Sequence, residues 1–141
     1  MRFELVLRPA WLFGAGPNDY LRRVLYMADR DGRVRMGTDQ VESPTWIRHL
    51  AEAVSALIAT GAYGTYHVTS RGACTRLQFA ELVLRAAGRP EPAEALAAVP
   101  GRSAPRPGSI VLNCRLFELV TGHRLPDWQE GVLACLAETG R

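Results

Sequence analysis

Seven residues have the side chains and the setting to hold a ligand: Trp11, Asn18, Gln40, Ser43, Pro44, Thr45 and Arg106. Four of them fall in DQVESPTW (residues 39–46), where a polar turn stiffened by Pro44 runs into an amphipathic helix. Backbone amides and the side chains of Gln40, Ser43 and Thr45 converge at that helix start, a setting that suits phosphates or hydroxyls. Trp11, in RPAWLFG (residues 8–14), offers an indole face that can lie on the C–H face of a sugar ring while its N–H donates a hydrogen bond; it serves equally well as a core aromatic. Asn18 stands at another helix start, where it either caps the helix or donates to an anion. Arg106 is held between Pro105 and Pro107, which pre-orients a guanidinium fork of the kind that grips pyrophosphate oxygens in pairs, unless it is a plain surface arginine. If it is a ligand residue, Arg106 should fold back over the turn at Ser43 to Thr45.

Hydrophobic spacing sets the elements that must position these groups. Phe3 to Leu7 reads as a strand of a covered sheet. Residues 20–30 place Leu21, Val24, Leu25 and Ala28 on one helical face, with Asn18 or Asp19 as cap and Asp31-Gly32 as stop. Residues 33–36 alternate like a short strand. Thr45 is expected to cap a helix running to Thr60, with Leu50, Ala53, Val54, Leu57 and Ile58 inward and Gly61 at its end. TYHVT (65–69) reads as a strand by residue type, and Thr75 caps a helix through Ala87 whose Arg76 and Arg85 are expected to face water. Residues 89–109 hold five of the nine prolines and read as a long surface loop with an edge strand at 96–99. Helices over 115–121 and from Pro126-Asp127 to Glu138 close the chain. The alternation of strands and helices is an α/β pattern.

Composition excludes several functions. With 17 arginines and no lysine in 141 residues, no Schiff-base or Walker-type lysine exists. The net charge of +3 is spread along the chain rather than gathered into a stripe, so no nucleic-acid surface is expected. No apolar run approaches the ~18 residues of a membrane span, and Glu4 and Arg8 break the only leader-like stretch, so a cytoplasmic protein is expected. Cys74, Cys114 and Cys135 are odd in number and far apart, which reads as reduced, mostly buried thiols. His49, His67 and His123 show neither metal-ligand spacing nor a triad-like neighbour. GAGPN (14–18) is too short for a dinucleotide fingerprint.

Taken together, RPAWLFG, Asp39-Gln40 with Ser43-Pro44-Thr45, the ladder LAEAV, GAYGTYHVT, and APRPG with LPDW resemble the C-terminal, substrate-binding half of the dTDP-4-dehydrorhamnose reductases. These are extended short-chain dehydrogenase/reductases of the RmlD type. The resemblance runs from about Phe3 to Ala137. It implies the C-terminal part of a Rossmann-like fold, an incomplete sheet plus a small helical substrate lobe, forming a single domain over 1–141 without the dinucleotide-binding half. It also implies a dTDP-sugar ligand and, for the whole enzyme, NADPH or NADH. Trp11 matches the tryptophan that packs on the sugar, and residues 40–45 and Arg106 match segments beside the nucleotide and pyrophosphate. Three positions depart from the pattern: Pro9-Ala10 for Thr-Ser, Glu42 for glycine, and His49 for aspartate. A carboxylate at 42 would repel a pyrophosphate.

The family's glycine-rich cofactor loop and its Tyr-x-x-x-Lys pair would precede this region, and a chain without lysine cannot hold that pair. The tyrosine needs the ammonium to stay acidic enough for proton transfer. The chain alone is therefore expected to bind no cofactor and reduce no ketone. Two functional classes remain. One is the sugar-nucleotide-binding half of a reductase, completed by a separate chain carrying the dinucleotide half or existing as a homodimer. The other is a non-catalytic regulatory or interaction module on the same fold. The first strand would expose an unpaired edge in either case.

Overall fold

The computed structural model describes residues 4–14, 16–96 and 106–140. Three pairs of parallel strands carry the chain back and forth. β1 (Leu5–Arg8) lies beside β6 (Gly64–His67), with Leu5 opposite Gly64 and Arg8 opposite His67. β2 (Leu12–Phe13) lies beside β5 (Thr45–Trp46), and β3 (Val34–Gly37) beside β8 (Ala93–Leu96). A small three-stranded sheet has β4 (Val41–Glu42) at its centre, antiparallel to β7 (Cys74–Thr75) and parallel to β9 (Ser109–Ile110). Parallel neighbours need crossovers, and helices supply them. α1 (Tyr20–Asp31) follows β2, α2 (Ile47–Thr60) joins β5 to β6, and α3 (Arg76–Ala86) joins β7 to β8. α4 (Arg115–Thr121) and α5 (Trp128–Glu138) close the fold.

Local chemistry explains the helix ends. The Asp19 carboxylate accepts the Leu21 N–H at 3.0 Å at the start of α1, and Gly32, at φ 63°, ends it. Thr75 and Gln78 form a reciprocal capping box on α3. Two apolar clusters result. Phe13, Leu21, Val24, Phe79, Val83, Trp128 and Val132 fill the larger, between α1, α3 and α5; Ala53, Leu57, Tyr66, Val68, Phe117 and Leu125 fill the smaller, between α2, α4 and β6. No helix among the described residues is long and apolar enough to cross a membrane.

Three expectations are corrected. Thr45 does not cap α2: it lies in β5, fully buried, and Trp46 occupies the cap position with no side-chain bond. Its hydroxyl accepts the Ser70 N–H at 2.9 Å and donates to the Ser43 carbonyl at 3.2 Å, so it is not available to the helix start. Ile58 is exposed rather than inward. The proline-rich stretch is not all loop, because Ala93–Leu96 pairs with β3; residues 97–99 of the expected edge strand lie outside the described residues.

Candidate functional site

β1 ends at Arg8, and the chain beyond it delivers Trp11 to the C-terminal side of the parallel strands, the side on which open α/β sheets take ligands. The Trp11 carbonyl accepts the Thr45 N–H at 2.9 Å, so the tryptophan segment is pinned to the 40–45 turn. The indole is half-buried. Tyr20 meets it edge-on at 4.6 Å between ring centres, and Phe79 at 4.7 Å. Above it sits Arg76, whose guanidinium carbon is 5.5 Å from the Trp11 ring and 5.4 Å from the Tyr20 ring. Arg76 Nη2 lies 3.7 Å from the Glu42 carboxylate, which is itself buried.

The turn is tied on its other side to the segment that follows Arg106. Gln40 Nε2 donates to the Pro107 carbonyl at 3.3 Å, and the Val41 N–H donates to the Gly108 carbonyl at 2.8 Å. The chain therefore returns onto Gln40 and Val41, just upstream of the Ser43–Thr45 turn it was expected to cover. Arg106 itself is exposed. Ser43 Oγ donates to the Gly72 carbonyl at 2.7 Å, and Pro44 is fully buried, so residues 43–45 hold the turn's shape from within.

Of the seven residues singled out from sequence, Trp11, Gln40, Ser43, Pro44 and Thr45 thus share one connected network, with the Arg106 segment bonded to it. Asn18 stands apart from those contacts. It lines a cleft of about 540 Å³ on α1 together with Arg22, Arg23 and Tyr26. The helix start beside it already has a carboxylate, because Asp19 accepts both the Gly14 N–H at 2.8 Å and the Leu21 N–H. Gly14 is already engaged within the fold. Its amide serves Asp19, and a Cβ at Gly14 would lie 2.5 Å from the Ile47 side chain, so that glycine accommodates packing rather than a pyrophosphate.

Arg76, whose charge predicts a water-facing side chain, instead lies over the Trp11 and Tyr20 rings. The signal was present, since Arg76, Phe79, Ala80 and Val83 recur at the spacing of a single helical face, and the last three are buried. Burial pushes the Tyr20 phenol up, with Arg76 pulling the other way, and the phenol O–H donates to Met36 Sδ at 2.8 Å. The buried Cys74 thiol, opposite Glu42 in the strand pair, is pushed up to about 12 by burial first and by Glu42 second. The arrangement sets an aromatic face and a guanidinium beside a rigid turn, whose Val41 and Thr45 amides and Gln40 side-chain amide are already bonded to backbone carbonyls. Among the described residues no group of three or more His, Cys, Asp or Glu could hold a metal.

A family model described as the RmlD substrate binding domain matches residues 2–141. The spore coat polysaccharide biosynthesis protein SpsK of Bacillus subtilis is 31% identical over 134 residues, which cover 94% of this chain and 47% of that protein. A dTDP-4-dehydrorhamnose reductase of Burkholderia thailandensis is 31% identical over 153 residues, covering 95% of this chain and 51% of that enzyme. Among solved structures, a dTDP-4-dehydrorhamnose reductase of Bacillus anthracis in complex with NADP superposes with a TM-score of 0.89 at 26% identity, covering 95% of this chain and 48% of that one. Its counterpart from Clostridium acetobutylicum gives 0.89 at 28% identity, covering 97% and 49%. The chain spans about half the length of the curated relatives it matches.

Proposed function

The chain belongs to the RmlD substrate binding domain family, and from that premise we propose that it holds a dTDP-linked deoxysugar for reduction of the sugar's 4-keto group. The observation that carries this reading is the match of the substrate-binding model over residues 2–141, reinforced by relatives that are themselves dTDP-4-dehydrorhamnose reductases. In the proposed complex the sugar lies against Trp11 and Arg106 meets the diphosphate, while Gln40, which is buried and bonded to the Pro107 carbonyl, ties the segment that follows Arg106 to the turn. Ser43, Pro44 and Thr45 fix the turn's shape, while Asn18 lies at the periphery.

The hydride donor in this reading is NADPH or NADH, held by residues outside these 141. The Gly14 amide is taken by Asp19, and the sequence has no lysine for a Tyr-x-x-x-Lys pair. β1 has β6 on one edge and, among the described residues, no strand on the other, and that open edge is where a dinucleotide-binding half would add its own strand. Such a half precedes this region in the same polypeptide or is a separate chain; a homodimer would cover the edge as well. The cytoplasm is the compartment that goes with this reading.

Ligand-dependent melting tests it. Stabilisation follows RT ln(1 + [L]/Kd), so dTDP-L-rhamnose at ten times its Kd should add about 1.4 kcal/mol, a rise of roughly 3–6 °C for a domain of this size. Absence of any shift with millimolar dTDP and dTDP-L-rhamnose would refute the proposal.

A further inference from the structure

Arg76 is a charged side chain set among aromatic rings and a buried carboxylate. It begins α3, immediately after β7, and its side chain lies across two aromatic rings rather than in solvent. The guanidinium carbon lies within cation–π reach of both rings, which are nearly perpendicular to one another, and their bulk strips part of its water. The Nε–H is buried, and among the described residues it has no acceptor. Glu42 stands 3.7 Å away, close enough to neutralise the charge and too far for a good hydrogen bond. A guanidinium has five donors in a rigid fork and is satisfied best by paired oxygens of a carboxylate or phosphate. Here that fork has the Tyr20 phenol and the Glu42 carboxylate as its neighbours and an Nε–H with no acceptor among the described residues, while its side chain is still 34% exposed and can be reached from outside.

Its neighbours define what would reach it. On one side is Trp11, the aromatic plate. On the other is Glu42, whose strand β4 is hydrogen-bonded to β9, the strand that follows Arg106. In the complex proposed above, Arg76 and Glu42 belong to the chain of contacts that links Trp11 to the strand following Arg106. We infer that Arg76 binds the diphosphate of the nucleotide-sugar, with Glu42 as the resident counter-charge that the diphosphate supplants. This rests on the nucleotide-sugar reading above and adds to it the residue that lets a carboxylate stand beside the diphosphate. Glu42 would repel the ligand if it stood alone. Paired with Arg76 its charge is offset, and its oxygens give way to better-placed ones.

Isothermal titration calorimetry on the whole chain tests this with thymidine, dTDP and inorganic pyrophosphate, against wild type, Arg76→Gln, Arg76→Lys and Glu42→Gln. Losing a charge-assisted hydrogen bond should weaken dTDP about tenfold or more in Arg76→Gln, with an intermediate loss in Arg76→Lys and no change for thymidine. Glu42→Gln removes the competing carboxylate and should tighten dTDP by about three- to tenfold; a residue serving structure alone would not give tighter binding. Arg76→Gln binding dTDP as wild type does would overturn the inference and leave the nucleotide-sugar reading standing. Wild type that ignores dTDP but binds pyrophosphate through Arg76 would sink that reading and keep the anion receptor. If Arg76→Gln does not fold, Glu42→Gln decides alone, and unchanged or weaker dTDP binding there overturns the inference.

Discussion

Thr45→Val separates a hydroxyl that shapes the site from one that touches a ligand. Thr45 is fully buried, and Ser43 and Ser70, which its hydroxyl joins, are buried as well. The Oγ1 takes the Ser70 N–H at 2.9 Å and gives its proton to the Ser43 carbonyl at 3.2 Å. Valine has nearly the same shape, so the substitution leaves no cavity but strands one buried N–H and one buried carbonyl. Each unsatisfied group costs about 1–3 kcal/mol, the carbonyl at the low end because it has a second lone pair, so a net loss of roughly 2–4 kcal/mol is expected. For a chain of this length that is a fall of about 5–15 °C in melting temperature. Thr45→Ser keeps the hydroxyl and loses only a methyl, for about 1 kcal/mol. Urea denaturation followed by circular dichroism gives both values, and a dTDP titration of the folded variants gives the binding term. A Thr45→Val protein as stable as wild type, with dTDP affinity lost, would refute the structural role and put the hydroxyl on the ligand.

Two further outcomes follow from buried groups near the site. The Cys74 thiol is pushed from 9.0 up to about 12, so between those values the unfolded chain releases a proton that the folded chain keeps. Stability is then full below pH 9 and falls as pH climbs toward 12, by at most about 1.4 kcal/mol per pH unit from this thiol. Cys135 is shifted in the same direction by burial and steepens the decline. Urea midpoints at pH 8 and pH 10.5 should therefore diverge less in Cys74→Ala than in wild type, and equal divergence would show that the thiol is not the cause. Gly131→Ala should lower the melting temperature by several degrees although alanine favours helix, because the new Cβ would lie 3.2 Å from Trp46 Cβ and 3.3 Å from Phe13 Cζ in the core. A rise in melting temperature, as helix propensity alone gives at about 0.5–1 kcal/mol, would show that the core yields there.

What could be read from the sequence was local. The α1 helix was expected over 20–30 and is found over Tyr20–Asp31, because its apolar spacing, the Asp19 cap and the Gly32 stop all lie in one short unbroken stretch of sequence. The Thr75 cap and the last two helices were legible for the same reason. Thr45 was misread because a threonine after Ser-Pro has the composition of a helix cap. What makes it a strand residue is a hydrogen bond to Ser70, 25 positions away, and a pairing with Leu12. β8 was hidden by prolines 90 and 92, which lie just before the strand, and its partner β3 is as distant as Arg35 is from Glu94.

The site divides along the same line. Aromatic, turn and proline-flanked residues announced themselves by type, which brought Trp11, Gln40 and Arg106 into view. Arg76 did not, since charge argued for water while its position argued for the buried face. When the two conflict, helical position places the Cα and the charge must find a partner; here the partners are two rings and a distant carboxylate. A charged residue on the apolar face of a helix therefore says more about function than one on the polar face, because folding alone gives no reason to place it there.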